Sequence, residues 1–428
     1  MAGADLATIA TFLKDKYGPA IINQLPDETP LREEFNSDKS QSWYGNEVTY
    51  PVRVNRSRAV LATAEGGNLP QPGAQKHEKV HIPLSFVHAR VQFTGQSIKL
   101  SESNEGAWAR VMSLEMDQIV QDLAMQFEFY YFGYGQGVRC LCQGDPGTGT
   151  TFSVDSPMNV AGSLHGNRFL NEQERIVWIS PTGTLRTGGT RNITAISADG
   201  TSITVDAAIE TTTSDNDFVV KAYGDDASIT IDNTEFNHPP MGLLGHLDDG
   251  TYVTNYQGIS RDTYVIYRTP VISSVGALSL DVIQRGLDLA AQLGNAKISA
   301  FWTHYSVRRA YLALLESDRR YMGGDLKAPD GGTKAATQQD VTYGGIPVKC
   351  APFAPYGIMW AVDRRHMVRY VNTEGEWMNE DGSVLFRVRD QDAFEATFRV
   401  FENTHYERPN AGCRWDGINA TAVVAHVM

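Results

Sequence analysis

Two long alternating stretches face each other across a glycine- and proline-rich break, and this arrangement limits the fold more than any other feature. "EVTYPVRVNRSRAVLA" places Val48, Tyr50, Val52 and Val54 on one face of a strand. Arg53 lies on the other face, and Arg56 and Arg58 follow as the pattern shifts. On the return side Val80, Ile82, Leu84 and Phe86 share a face, and the parity then changes to Val87, Ala89, Val91 and Phe93, which reads as a bulge or twist. Between them, Glu65 to Gly73 hold three glycines and two prolines. The reading is a hairpin arm with a Gly/Pro tip. A two-stranded hairpin alone is marginal in water. Its apolar face needs a partner, and the sequence shows no adjacent third strand.

The same region spells H-E-x-x-H at His77-Glu78-x-x-His81. On a helix, histidines four apart face one zinc ion and the glutamate serves as general base. Here the local pattern is a strand, with Pro72-Gly73 just before the motif and Pro83 just after it. On a strand, residues four apart point the same way but stand about 13 Å from each other. The expectation is a set of polar residues on a solvated hairpin, with a zinc hydrolase using His77, Glu78 and His81 as a rival.

The rest of the chain supports a large folded core. It has 428 residues, 42% hydrophobic and 20% charged. No stretch nears the ~20 apolar residues that span a bilayer, and the N-terminus lacks the form of a secretory signal. A cytoplasmic site of synthesis follows, and the four cysteines fit it as reduced structural thiols. Net charge is −13, and residues 141–260 carry 15 Asp+Glu against 5 Lys+Arg. An acidic segment repels phosphate, which argues against gripping nucleic acid by counterion release.

Leu6 to Tyr17 have helical spacing, and a mixed polar arm follows to about Asn46. Asn104 to Phe132 is the strongest helix, with Trp108, Met112, Met116, Ile119, Leu123 and Phe127 in a stripe and Gly133 and Gly135 as the stop. Residues 141–260 read as a small β-barrel or sandwich, with a hairpin around Asp199-Gly200 and strands in "ERIVWISPTGT" and "DNDFVVKAYG". "SLDVIQRGLDLAAQLG" and "HYSVRRAYLALLESDRRY" are helices, "KISAFWT" is a buried strand, and further strands and turns follow. The order is mixed α+β, without the regular alternation of a nucleotide-binding sheet. No Gly-Lys dipeptide and no G-x-S-x-G elbow occurs. The acids Asp215/Asp217, Asp225/Asp226 and Asp248/Asp249 lack EF-hand spacing and read as exposed turn residues. The arginines of "SVRRAYLALLESDRRY" and "VDRRHMVRY" read as salt-bridging faces and as candidates for intersubunit pairs.

Taken in order, the arm, the long hairpin with its Gly/Pro tip, the long helix, the mixed α+β region and the closing "HYERPNAGCRWDGI" resemble the tailed-bacteriophage major capsid proteins, the Hong Kong 97 fold; the acidic β-rich stretch at about 141–260 is an insertion relative to the minimal fold. "AEGGNLPQPG" and the strand after it look like the family's extended loop, and "NEGAWARVMSLEMDQIVQDLAMQFEFYYFGYG" looks like its spine helix. "FEATFRVFENTHYERPNAGCRW" looks like the last strands, returning to the peripheral domain. The resemblance implies an N-terminal arm (1–46), an extended loop (47–102), the spine helix of a peripheral domain (103–140), an inserted acidic β-rich domain (141–260), an axial domain (261–368) and a return to the peripheral domain (369–428). It implies a non-enzymatic subunit without cofactor that forms hexamers and pentamers of an icosahedral virion shell. Assembly would take place in the bacterial host cytoplasm, around double-stranded DNA bound without sequence preference, and no membrane is involved.

The expected partners are further copies of the chain, a separate scaffolding protein, a portal and a decoration protein. Only about 45 residues precede the hairpin, too few for a large fused scaffold. In the family the extended loop lies across a neighbouring subunit, which would supply the hairpin's missing partner. The expected assembly contacts are Arg53, Arg56 and Arg58, the tip residues Glu65, Gly66, Gly67, Leu69, Pro70 and Pro72, and Lys76 and Lys79, together with the N-terminal arm. An encapsulin-like compartment shares the fold and is the alternative.

Overall fold

The computed structural model describes residues 30–38, 47–57, 59–96, 105–144, 149–208, 213–223, 229–322, 341–379, 383–389 and 391–420, with backbone alone at 105–114 and 316–322. The long helix expected from the apolar stripe is present as Glu105–Phe132, roughly 42 Å at ~1.5 Å per residue. Its character changes along its length. Glu115 and Asp117 are exposed, whereas every residue from Phe127 to Phe132 is buried. A helix that is apolar all round belongs inside a core, and these last turns are surrounded on all sides.

Phe129 meets Phe169, Phe132 meets Trp302 and Trp360, and a five-stranded sheet covers another side. Its centre is β20 (Ala393–Tyr406), flanked by β18 (Met367–Trp377) and β4 (Ser85–Thr94). β1 (Asn36–Asp38) runs parallel to β18, and β19 (Phe386–Arg387) pairs with the start of β20. Alternation decides the faces. Val87, Ala89, Phe398 and Val400 turn toward the helix, and Phe86, His88, Arg90 and Gln92 turn away from it. The parity change at Leu84 is therefore not a bulge within one strand. β3 (Lys76–Pro83) ends, and the chain crosses from the hairpin into the five-stranded sheet. Ile82 is 0% exposed and Phe86 is 53% exposed because they belong to different sheets.

Six short strands close into a barrel in the order β10-β5-β6-β9-β8-β7: Phe218–Lys221, Val138–Cys142, Thr151–Asp155, Ser202–Val205, Arg191–Ile196 and Arg175–Ile179. Cys140 and Cys142 point into it beside Phe152, Trp178 and Ile203, and burial pushes both thiols up. The Asp199-Gly200 turn joins β8 to β9 as the sequence suggests. Gly200 has φ +81°, and a Cβ there would lie 2.3 Å from His165 Nδ1.

The remaining sheet has the order β13-β21-β17-β14-β16-β15: Val271–Ile272, Cys413–Trp415, Met359–Val362, Ala300–Thr303, Ile346–Cys350 and Thr342–Tyr343. Cys413–Trp415 thus lies in a different sheet from β20, pairing with Met359–Val362. The helix Leu280–Gly294 packs on it, started by Ser279, whose hydroxyl accepts from Val282 N at 3.3 Å. Gly286 lets this helix approach, since a Cβ there would meet Trp415 Cζ2 at 2.2 Å. The second helix, Tyr305–Met322, follows β14.

Candidate assembly surface

β2 (Glu47–Asn55) and β3 form the expected antiparallel hairpin, with Val48 opposite Ile82 and Tyr50 opposite Val80. Its base has a partner in its own chain. Val48, Val80 and Ile82 pack with Tyr256, Ile259, Tyr267 and Tyr370, and His81 N donates to Gln257 O at 2.8 Å. At the neck, Lys76 Nζ donates to Tyr264 OH and Tyr264 OH donates to Glu78 Oε1, each at 2.5 Å. The hairpin therefore does not rely on a neighbour for its whole apolar face, as the sequence reading had it. The segment from Val253 to Tyr267 covers the base.

The tip has no such cover. Ser57 Oγ donates to Gly73 O at 2.8 Å and closes the neck. Beyond it, residues 60–69 are exposed throughout, with a tight turn where Gly67 N donates to Ala64 O at 2.9 Å. Val60 is 84% exposed, Leu61 68% and Leu69 85%. Three large apolar side chains on one projecting loop are costly in water, at ~25 cal/mol per Å² of apolar surface.

Each residue singled out from the sequence has a definite place. Arg53 is exposed on β2 and Arg56 just beyond it. Glu65, Gly66, Gly67, Leu69, Pro70 and Pro72 form the tip, where Pro70 is half-buried and the others are exposed, and Lys76 and Lys79 are exposed on β3. Arg58 and the arm before Pro30 lie outside the described residues. His77 sits opposite Arg53 and His81 opposite Thr49 on a strand, and His81 Nδ1 is 3.2 Å from Glu47 Oε1. This is not the helical H-E-x-x-H arrangement. Among the described residues no group of three or more His, Cys, Asp or Glu is placed to hold a metal ion, and no helix is long and apolar enough to cross a membrane.

Sequence reading missed the buried polar joints that aim the loop. Asp248 was expected to be an exposed turn acid but is 0% exposed. Its carboxylate accepts from Gly250 N, Tyr252 N and Val253 N at 3.1, 3.0 and 2.9 Å, from Arg414 Nη1 at 3.0 Å and from Arg261 Nη1 at 3.4 Å. Both guanidinium groups are also buried; Arg261 donates further to the carbonyls of Gly245, His246, Val253 and Tyr267, and Arg414 to those of Leu244 and Leu247 and, through Nε, to the Asp416 carboxylate at 2.9 Å. This cage orders the segment that carries Tyr256, Ile259 and Tyr264 to the hairpin base. Asp217 is likewise buried, held by Arg186 at 2.7 Å. Only the Asp-Gly turn signal was visible in the sequence; the long-range arginine partners left no local trace.

A second joint fastens the described part of the arm. Leu31 and Phe35 are buried in the main core. Glu128 accepts from Leu31 N at 3.0 Å and Arg32 N at 3.2 Å, and burial pushes its carboxyl up to about 8 despite those donors. Arg32 pairs with Glu402 at 3.2 Å, which also receives Arg369 and the Tyr131 hydroxyl. Glu34 pairs with Lys349 and with Arg364, and Arg365 pairs with Asp363 at 2.5 Å. Residues 30–38 are thus built into their own subunit, and both arginines of "VDRRH" are engaged within the chain.

The chain is similar over 96% of its length to 99% of a chain from the capsid asymmetric unit of cyanophage A-1(L), at 12% identity and a TM-score of 0.55. The chain has the Hong Kong 97 capsid fold. Two further solved structures align with 98% of the chain: one of Gordonia phage Cozz, covered to 96% at 10% identity and TM-score 0.48, and the capsid of a native GTA particle, covered to 100% at 9% identity and TM-score 0.49. No protein-family model and no curated protein matches the sequence. In the Hong Kong 97 fold of this chain, the hairpin tip exposes Val60, Leu61 and Leu69, and the segment beside the hairpin neck exposes Val265 and Ile266.

Proposed function

We propose that the chain is the major capsid protein of a tailed double-stranded DNA bacteriophage. Copies of it form hexamers and pentamers that close into the icosahedral head. The observation that carries this reading is the agreement over nearly the whole chain with a capsid subunit, joined to a loop whose tip exposes Val60, Leu61 and Leu69. A rigid base and an uncovered apolar tip suit a contact made with another copy. In a closed shell each such contact can be weak, because many identical contacts act together.

In this reading the long helix is the spine of a peripheral domain, the six-stranded sheet with its two helices is the axial domain, and the barrel is an insertion. Arg53, Arg56, Arg58, Glu65 to Pro72, Lys76 and Lys79 are the assembly contacts. The subunit does no chemistry and needs no cofactor. Its net charge of −13 lets packaged DNA slide past the wall rather than adhere. A scaffolding protein, a portal and a decoration protein are the expected further partners.

Electron microscopy and sedimentation of the purified protein, alone and co-expressed with a scaffolding protein, test this. Shells, tubes or capsomer rings are expected. A monodisperse monomer under every condition overturns it.

A further inference from the structure

We infer that the seam between the barrel and the six-stranded sheet is a latch, closed by Arg168 and released through His304 on acidification. It is a property of the single subunit and holds independently of the shell reading. On the barrel side the seam is the turn Gly166–Phe169, which follows β6. On the sheet side it is the loop 351–356 after β16, together with the start of the helix Tyr305–Met322.

Arg168 crosses the seam. Its Nη1 donates to Ala354 O at 3.0 Å and its Nη2 to Pro352 O. The guanidinium lies 4.5 Å over the Tyr356 ring and 5.0 Å over Phe169, and Phe169 stacks on Phe353 at 6.4 Å. Arg168 is 1% exposed, yet no carboxylate pairs with it among the described residues, and its Nε is buried without an acceptor. Burial holds the guanidinium down to about 10. Carbonyls and rings alone hold this charge, so nothing offsets the repulsion of a second cation placed beside it.

His304 is in place to become that cation. It is buried, and its ring lies 4.2 Å from Tyr356, the same ring that Arg168 covers. Its Nδ1 accepts from Ser306 N at 3.1 Å and lies 3.0 Å from Ser306 Oγ, so the closed seam uses the imidazole as an acceptor. Protonation at Nδ1 sets one N–H against another at Ser306 and adds positive charge next to Arg168. The other charged groups around the ring have the same sign. Burial disfavours the proton most, and Arg168, Arg309 and His165 disfavour it further. His165 lies 5.5 Å from Tyr356 with its Nδ1 on the backbone Asp199 O, and Arg308 covers Tyr305 at 5.4 Å.

The backbone that leads into the seam is strained. Ser156, Met158, Asn159 and His165 have φ of 44°, 56°, 59° and 63°. Residues other than glycine keep this left-handed region only where the surrounding packing holds them. The turn itself is fastened to the barrel, because Asn167 Nδ2 donates to Ser197 O at 2.9 Å and to Ser202 O at 3.1 Å. The contacts that part on opening are therefore those of Arg168 and Phe169 with residues 352–356, and the turn stays with the barrel.

The test is amide hydrogen exchange of the full chain at pH 7.5 and pH 5.5, read by mass spectrometry and corrected for the intrinsic exchange rate at each pH. Opening lets His304 titrate near its ordinary value of about 6.5 rather than at about 2, which favours the open seam about tenfold more at pH 5.5 than at pH 7.5. Peptides covering 164–170 and 351–356 should show that rise, and peptides covering β10 should not. H304Q keeps an acceptor for Ser306 N but does not titrate, so it should abolish the rise. Seam exchange that is equal at the two pH values overturns the inference. A rise shared equally by β10 reports loosening of the whole subunit and overturns it too. A rise that H304Q retains removes His304 as the group that releases the seam.

Discussion

Acidification from pH 6.5 to pH 5.0 should weaken the free subunit, and the histidines buried at the joints set the size of the loss. His405 and His304 are held down to about 3 and about 2, both mainly by burial. Arg168, Arg309 and His165 add to the effect at His304. His246 is held well below its ordinary value by burial, with His405 and Arg261 adding to it. His246 Nδ1 accepts from Tyr256 OH at 2.6 Å while Nε2 donates to Thr404 Oγ1 at 2.8 Å, so a second ring proton has no acceptor. Below pH 6.5 the unfolded chain binds protons that these native histidines refuse, so stability falls as pH falls. Each contributes about 1.4 kcal/mol per pH unit, or about 2 kcal/mol by pH 5.0. Glu128 acts with the opposite sign. Its folded carboxyl is held up to about 8, so between pH 8 and its unfolded value the native state is the one that binds the proton. It returns about 2 kcal/mol over the same interval. His405 and His304 together outweigh it by about 2 kcal/mol, and His246 adds a loss of the same sign. Between pH 8 and pH 6.5 Glu128 acts without them and stability rises as pH falls. The maximum should lie near pH 6.5. Urea titrations of unassembled subunits, followed by tryptophan fluorescence at pH 8.0, 6.5 and 5.0, measure this. H405Q should reduce the slope below pH 6.5 by about one proton. Stability that is flat or rising from pH 6.5 to 5.0 would refute the reasoning.

Asp248→Ala should cost about 3–5 kcal/mol in the same titration, because it leaves the buried Arg261 and Arg414 without their shared carboxylate; a loss below 1 kcal/mol would mean that the carbonyl acceptors, with Asp416 on Arg414, suffice. Leu61→Ser with Leu69→Ser should leave subunit stability within about 0.5 kcal/mol while abolishing particle formation by electron microscopy, since both side chains already face water. Gly286→Ala should destabilise by about 1–3 kcal/mol, since its Cβ would meet the Trp415 ring at 2.2 Å; an unchanged urea midpoint would show that the ring moves freely. Cys140 and Cys142 should resist a thiol reagent until the barrel unfolds, and fast labelling of the native protein would contradict their burial.

Local pattern carried the elements. The period-3.6 stripe ending at Gly133 located the long helix almost to the residue, and strict alternation located β2 and β3. Asp-Gly at 199–200 marked a real turn, and Ser279 a real helix start. These signals rest on the chemistry of neighbours in the chain, so they survive without knowledge of the fold. The exposed tip was also legible, because Gly and Pro exclude both helix and ladder.

What the sequence did not reveal lies in contacts that span long separations. Asp248 and Arg414 are 166 residues apart, Glu128 and Leu31 are 97 apart, and neither pair leaves a periodic trace. An acid flanked by Asp249 and Gly250 looks solvent-exposed until the fold places two arginines over it. The switch of the chain from hairpin to sheet at Leu84 was visible as a change of parity, but only the tertiary structure separated a bulge from a change of sheet. Sequence by itself determined that this protein has a long hairpin, a long helix, an acidic β-rich segment and an α+β order. Tertiary structure decided that residues 253–267 cover the hairpin base while its tip stays bare. Strand pattern records which face of a residue is apolar, but the surface that covers that face is set by the packing of distant segments.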